Sequence, residues 1–115
     1  MFQQKNRLRH EQDIKTLFLK GKSVFGNVVG LKFRRNEFFE TRFAVIIGTK
    51  VSKNAVDRNR IRRKIREVIR VHISEIACGY DVGILVRPEA VKKTKQEIET
   101  AVVQVLKRSS LLKEV

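Results

Sequence analysis

Between Asp57 and Ala77 the chain places Ile61, Ile65, Val68, Ile69 and Ile76 so that they gather within an arc of about 100° on an α-helix. This longest periodic stretch constrains the fold more than any other, because a helix with one apolar stripe must lay that stripe on another layer. The remaining segments supply such a layer. Ser23 to Arg35 alternates, with Val29, Leu31 and Phe33 on one side and Val28, Gly30, Lys32 and Arg34 on the other, which predicts a half-buried strand broken near Gly26. A turn at Asn36 follows, and Thr41 to Thr49 reads as a second strand with Phe43, Val45 and Ile47 on one face. Antiparallel pairing of these two through their short connection is the simplest expectation.

Three further elements complete the pattern. Glu11 to Lys20 carries Ile14, Leu17 and Phe18 at helical spacing ahead of Gly21, which predicts a short first helix. Gly79 stops the long helix, and Tyr80 to Arg87 supplies a strand that Pro88 ends. From Glu89 to Arg108, apolar residues from Val91 to Leu106 return to helical spacing and predict a last helix packed on the sheet. Ser109 to Val115 shows no pattern and is expected to fray. The order helix, strands, long helix, strand, helix predicts an α+β fold, with one mixed sheet covered by helices in a single domain over residues 1–115.

Charge limits the partners of such a domain. Lys50 to Arg70 holds nine cations against Asp57 and Glu67, a net of +7 that is half of the chain's +14. Nucleic acid is the leading partner class, because contacts to phosphates release condensed counterions. An acidic membrane surface could use the same charge. No long apolar run, apolar leader or lipidation signal is present, so no membrane role and a cytoplasmic location are expected.

With Ile61, Ile65 and Val68 facing the core, Arg60, Arg63, Lys64 and Arg70 are expected on the opposite side as a cationic ridge, flanked by Arg62 and Arg66. Arg58 is expected to leave over the end of the sheet. Arginine predominates, and its planar guanidinium forks onto phosphate oxygens and stacks on bases, which favours RNA. The free amides of the helix N-terminus near Arg58 and Asn59 favour anions there as well. Lys50, Lys53, Arg58, Asn59, Arg60, Arg62, Arg63, Lys64, Arg66 and Arg70 are therefore the candidate RNA-binding residues.

The run Lys50-Val51-Ser52-Lys53-Asn54-Ala55-Val56-Asp57-Arg58-Asn59-Arg60-Ile61-Arg62-Arg63-Lys64-Ile65-Arg66-Glu67 closely resembles the signature of the bacterial ribonuclease P protein component, including its Arg-Asn-Arg core. Asn6-Arg7-Leu8-Arg9, Phe18 with Gly21, Tyr80-Asp81-Val82 and Arg87-Pro88 extend the resemblance over nearly the whole chain. It implies a fold like the second domain of ribosomal protein S5, with a left-handed crossover that goes against the general rule. It also implies a protein partner of a catalytic RNA, which hydrolyses precursor tRNA to free the mature 5′ end. In that family the protein binds the catalytic RNA through the Arg-Asn-Arg region and holds the 5′ leader in a cleft between the sheet and the first two helices. The resemblance assigns signature RNA contacts to Arg58, Asn59, Arg60, Arg62, Arg63 and Arg66, the cleft edge to Lys50 and leader stacking to Phe18.

Four positions depart from the family pattern. Ile14 and Lys32 stand where aromatic residues are common, which implies weaker leader stacking offset by a phosphate contact from Lys32 in the leader cleft. Thr49 stands near positions often held by a second lysine, and Lys53 replaces a frequent glycine.

No protein-borne catalytic site or metal site is expected. The acids are scattered over separate elements, and His10, His72 and Cys78 do not make a zinc-ligand set. His72 reads as a partly buried structural residue, His10 as a solvated one and Cys78 as a buried small apolar residue. Any Mg²⁺ implied by the resemblance would be held mainly by the RNA subunit. The competing readings are a ribosomal or ribosome-assembly RNA-binding protein with no role in cleavage and, more distantly, a DNA-binding regulator.

Overall fold

The computed structural model describes residues 4–112. Their elements run α1 (Glu11–Lys20), β1 (Lys22–Val24), β2 (Val29–Arg35), β3 (Arg42–Ile46), α2 (Ala55–His72), β4 (Tyr80–Val86) and α3 (Lys95–Arg108), with short 3₁₀ turns at Gln4–Asn6, Ile73–Glu75 and Pro88–Lys92. The strands form one sheet in the order β1-β2-β4-β3.

β4, the last strand in sequence, enters the middle of that sheet. It pairs antiparallel with β2, placing Leu31 opposite Ile84, and parallel with β3, placing Val45 opposite Ile84. The expected pairing of β2 with β3 is therefore wrong. β4 is buried over most of its length, with Asp81, Val82, Gly83 and Ile84 all excluded from solvent, which suits the interior of a sheet. A parallel β3-β4 pair needs a crossover, and α2 provides it.

The two faces of the sheet differ. Val29, Leu31, Phe43, Val82, Ile84 and Val86 are buried against Ile61, Ile65, Val68 and Ile69 of α2 and Ile98, Val102, Val105 and Leu106 of α3. The opposite face carries Lys32, Arg34, Arg42, Ala44, Ile46, Asp81, Gly83 and Leu85 and is covered only in part, by α1. Leu17, the buried residue of α1, sits over Gly83, where a Cβ would come within 3.2 Å of its Cδ2; the absent side chain is what lets the helix approach.

Several boundaries differ from expectation. The long helix ends at His72, and Ile76 reaches the core from beyond the following 3₁₀ turn. The expected last helix divides at Lys93 because Thr94 caps α3 in a reciprocal box with Glu97. Residues 109–112 do not fray: Leu111 and Leu112 are buried, and the Ala77 amide donates to the Leu111 carbonyl at 2.8 Å. Residues 113–115 lie outside the described residues. Cys78 is exposed, not buried; it stands between the half-buried Ala77 and the buried Gly79, whose φ of +84° leads the chain into β4.

Candidate nucleic-acid interface

α2 starts from a prepared loop. The Asn54 side chain accepts from the Val56 amide at 2.9 Å, and Ser52 Oγ donates to Asp57 at 3.2 Å. One of the helix's free amides is thus already used by its cap. Lys50 and Lys53 stand exposed on the same loop, beyond the end of β3.

Each residue of Arg58-Asn59-Arg60 has a local partner. Arg58 Nη1 donates to the Ser52 carbonyl at 2.7 Å, Asn59 Oδ1 accepts from Arg62 Nη1 at 3.1 Å, and Arg60 Nη2 donates to the Val91 carbonyl at 3.2 Å. Each guanidinium retains further donors, so these bonds orient the forks without consuming them. Restricting long side chains beforehand reduces the entropy lost on binding a phosphate.

The cations of α2 do not form one ridge. Arg63 and Arg70 are exposed, as expected of residues opposite the core. Arg60 and Lys64 instead turn toward the 88–92 turn and α3, where Lys64 lies 3.7 Å from Glu99 with its side chain only 19% exposed. Helical phase alone could not show this, because α3 packs beside α2 and covers one flank. Arg62 and Arg66 occupy the other flank, near Arg7 of the N-terminal segment, which bridges to Phe43 at the β3 edge. Burial, then the charges of Arg7 and Arg62, pulls the Arg66 guanidinium below its ordinary range. It stays protonated, but in a field that favours an incoming anion.

Among the described residues Arg58, Arg60, Arg62, Arg63 and Arg66 pair with no carboxylate. Glu67 is taken by Arg70 through contacts of 2.6 and 3.2 Å, which lower its pKa. Five of the six arginines of α2 are thus left without a carboxylate partner, an arrangement that suits an external polyanion.

The second set of candidates lies on the other face of the sheet. Phe18 is 37% exposed and outside the core, since Leu17 takes the buried position of α1. Lys32 Nζ donates to the Phe18 carbonyl at 3.1 Å, placing an ammonium at the negative end of α1. Ala44, Ile46 and Leu85 remain half-buried beside them, a shallow apolar floor next to one aromatic ring and one cation. Such a surface suits an unstacked base and its phosphate.

α1 itself is held by a buried ionic network that sequence reasoning missed. Arg42 forks onto Asp81 at 2.9 and 2.8 Å, reaches Asp13 of α1 at 3.3 Å, and lies 4.6 Å from the centre of the Phe38 ring. Burial opposes its charge, but Asp81 and Asp13 outweigh burial and raise its pKa. These residues are 29 and 39 positions apart from Arg42, so no local pattern joins them. His72 is half-buried, with Nδ1 3.5 Å from Glu75, and His10 is exposed ahead of α1. Among the described residues no three His, Cys, Asp or Glu side chains converge, and no helix is long and apolar enough to cross a membrane.

Comparison with known proteins places this geometry in context. A family model described as Ribonuclease P matches residues 2–110. The chain is 34% identical over 111 residues to the ribonuclease P protein component of Microcystis aeruginosa, covering 93% of this chain and 92% of that one. It is 32% identical to that of a Pseudanabaena species, covering 97% of each. The solved structure of Staphylococcus aureus RNase P protein superposes with a TM-score of 0.88 at 30% identity, covering 93% of this chain and 97% of that one. That of Thermotoga maritima gives 0.80 at 25% identity, covering 89% and 96%.

Proposed function

The chain belongs to the ribonuclease P protein family, and from that premise we propose that it is the protein subunit of a cytoplasmic ribonuclease P ribonucleoprotein. It binds the catalytic RNA and the 5′ leader of precursor tRNA and so assists endonucleolytic removal of the leader. The observation that carries this reading is the Arg-Asn-Arg start of α2, where each residue is oriented by a partner of its own and both arginines are free of carboxylates.

The division of labour follows from the chemistry of the side chains. Arg58, Arg60, Arg62, Arg63 and Arg66 neutralise RNA backbone, with Lys50 and Lys53 extending the charge along the loop. Phe18 stacks on a leader base, and Lys32 meets the adjoining phosphate from the end of α1. Hydrolysis belongs to the RNA subunit and the Mg²⁺ that it mainly holds. The carboxylates around these surfaces are otherwise engaged, Asp13 and Asp81 with Arg42, Glu67 with Arg70, Glu99 with Lys64 and Asp57 with the Ser52 hydroxyl. What the protein adds is positive charge and position, which lower the repulsion between two RNAs.

The test is reconstitution. Added to a cognate bacterial catalytic RNA at low Mg²⁺, the chain should stimulate 5′ maturation of precursor tRNA, more strongly for leaders long enough to reach Phe18. No stimulation, or recovery of ribosomal RNA in place of the catalytic RNA on pull-down, overturns the proposal.

A further inference from the structure

β2 outruns its edge partner. The β1-β2 ladder ends where Lys22 meets Phe33, so Arg34 and Arg35 continue along an edge that β1 leaves open. The turn from α1 into β1 brings Lys20 and Lys22 to that edge, and the result is a concavity of about 240 Å³ lined by Lys20, Lys22, Phe33, Arg34, Arg35 and Tyr80. Its cations come from three elements, and among the described residues none of the four pairs with a carboxylate. Asp81, opposite Arg34 on β4, belongs to Arg42.

Two rings lie among these charges. Those of Phe33 and Tyr80 stand 6.5 Å apart at 54°, and Arg35 Cζ lies 5.5 Å from the centre of the Tyr80 ring. A guanidinium held over a ring is a flat cation that can stack on a base while its N–H groups meet a phosphate. Lys20 has a local reason for its place, the negative end of α1, and a lysine such as Lys22 on an edge strand discourages pairing with another sheet. Neither reason extends to Arg34 and Arg35, whose charges repel both lysines with no acid to offset them.

We propose that this open edge is a further subsite for single-stranded RNA, which takes the stretch of 5′ leader that runs on past the base at Phe18. The inference rests on the function proposed above and extends the path of its leader. Continuity comes from the chain itself. Lys20 follows Phe18 by two residues on α1, and Arg35 follows Lys32, which donates to the Phe18 carbonyl, by about 10 Å along β2. A strand leaving Phe18 over the C-terminal end of α1 therefore meets Lys20 and Lys22, and then Arg35 above the Tyr80 ring. A duplex keeps its bases stacked on one another, whereas a leader has unstacked bases to offer a flat cation.

The experiment uses the full chain reconstituted with a cognate bacterial catalytic RNA. Affinities are measured over a range of salt for mature tRNA and for precursors that differ only in leader length, short ones ending at Phe18 and long ones running past it. Wild type should bind more tightly as the leader lengthens past Phe18. K22Q/R35Q should lose most of that gain, several-fold for the long leader, with the log-log salt slope lower by about 0.7 for each cation removed. Its affinities for catalytic RNA, short-leader precursor and mature tRNA should stay those of wild type, and its melting temperature should stay close, because both side chains are exposed. R35K should fall between, since it keeps the charge but not the flat ion. A long-leader gain that survives in K22Q/R35Q overturns the subsite. An equal loss for all the RNAs also overturns it, because the cluster then serves the catalytic RNA or general attraction. If wild type stimulates cleavage with no leader, the functional premise falls; if it stimulates cleavage but gains nothing from leader past Phe18, only the subsite does.

Discussion

Replacing Arg42 with alanine removes the centre of the network that joins α1 to the sheet. The substitution takes two charge-assisted hydrogen bonds from Asp81, at 2.9 and 2.8 Å, and leaves its carboxylate only the Asn36 amide at 3.0 Å. With the side chains of Arg42 and Asp81 only 14% and 11% exposed, the orphaned charge is poorly hydrated. Breaking a buried pair on one side costs about 3–5 kcal/mol. The residual exposure places Arg42→Ala at the lower end, about 3 kcal/mol, or roughly 12 °C in melting temperature at about 4 °C per kcal/mol for a domain of this size. Circular dichroism in urea and on heating measures both. Arg42→Lys should fall between, because an ammonium keeps the charge but cannot fork. Arg42→Met with Asp81→Leu should recover most of the loss, since no charge is then left buried. A cost for Arg42→Ala below about 1 kcal/mol would refute the reasoning, because the pair would then behave as a solvated surface contact.

Three other outcomes are expected. Phe18→Ala should weaken leader binding by about 1 kcal/mol, roughly fivefold, with little change in unfolding, because the ring stands outside the core; precursor and mature tRNA affinities measured side by side check it. Gly79→Ala should cost about 1–2 kcal/mol in urea unfolding, since φ of +84° is strained for any residue with a Cβ. Acid should destabilise the fold through Glu97 and Glu67: the Thr94 backbone and side chain hold the first below its ordinary 4.5, and the Arg70 hydrogen bond holds the second there. Their contribution is present above that value and lost as pH falls through the depressed folded-state values, so Glu97→Gln should flatten the dependence of the urea midpoint on pH in that range.

Periodicity reached the elements because each needs only its own residues. The apolar stripe of α2, the alternation of Val29, Leu31 and Phe33, and the apolar strand from Tyr80 are local statements, and the structure contains all three. The density of arginine beside an apolar face was equally legible, and with it the expectation of an RNA surface. Strand order was not, because pairing depends on which strand can be buried on both sides, and that compares β4 with β2 and β3 across the chain.

The same distinction runs through the interface. Sequence by itself determined that Arg58-Asn59-Arg60 opens an amphipathic helix and that a net +14 favours a polyanion as partner. Only the tertiary structure decided which arginines face which neighbour. Packing of α3 turned Lys64 and Arg60 to one flank beside Lys95, the N-terminal segment set Arg7 near Arg62 and Arg66 on the other, and Leu17 rather than Phe18 became the core residue of α1. A helix's phase is set by bonds four residues apart, whereas the burial of each flank is set by surfaces that arrive from distant parts of the chain.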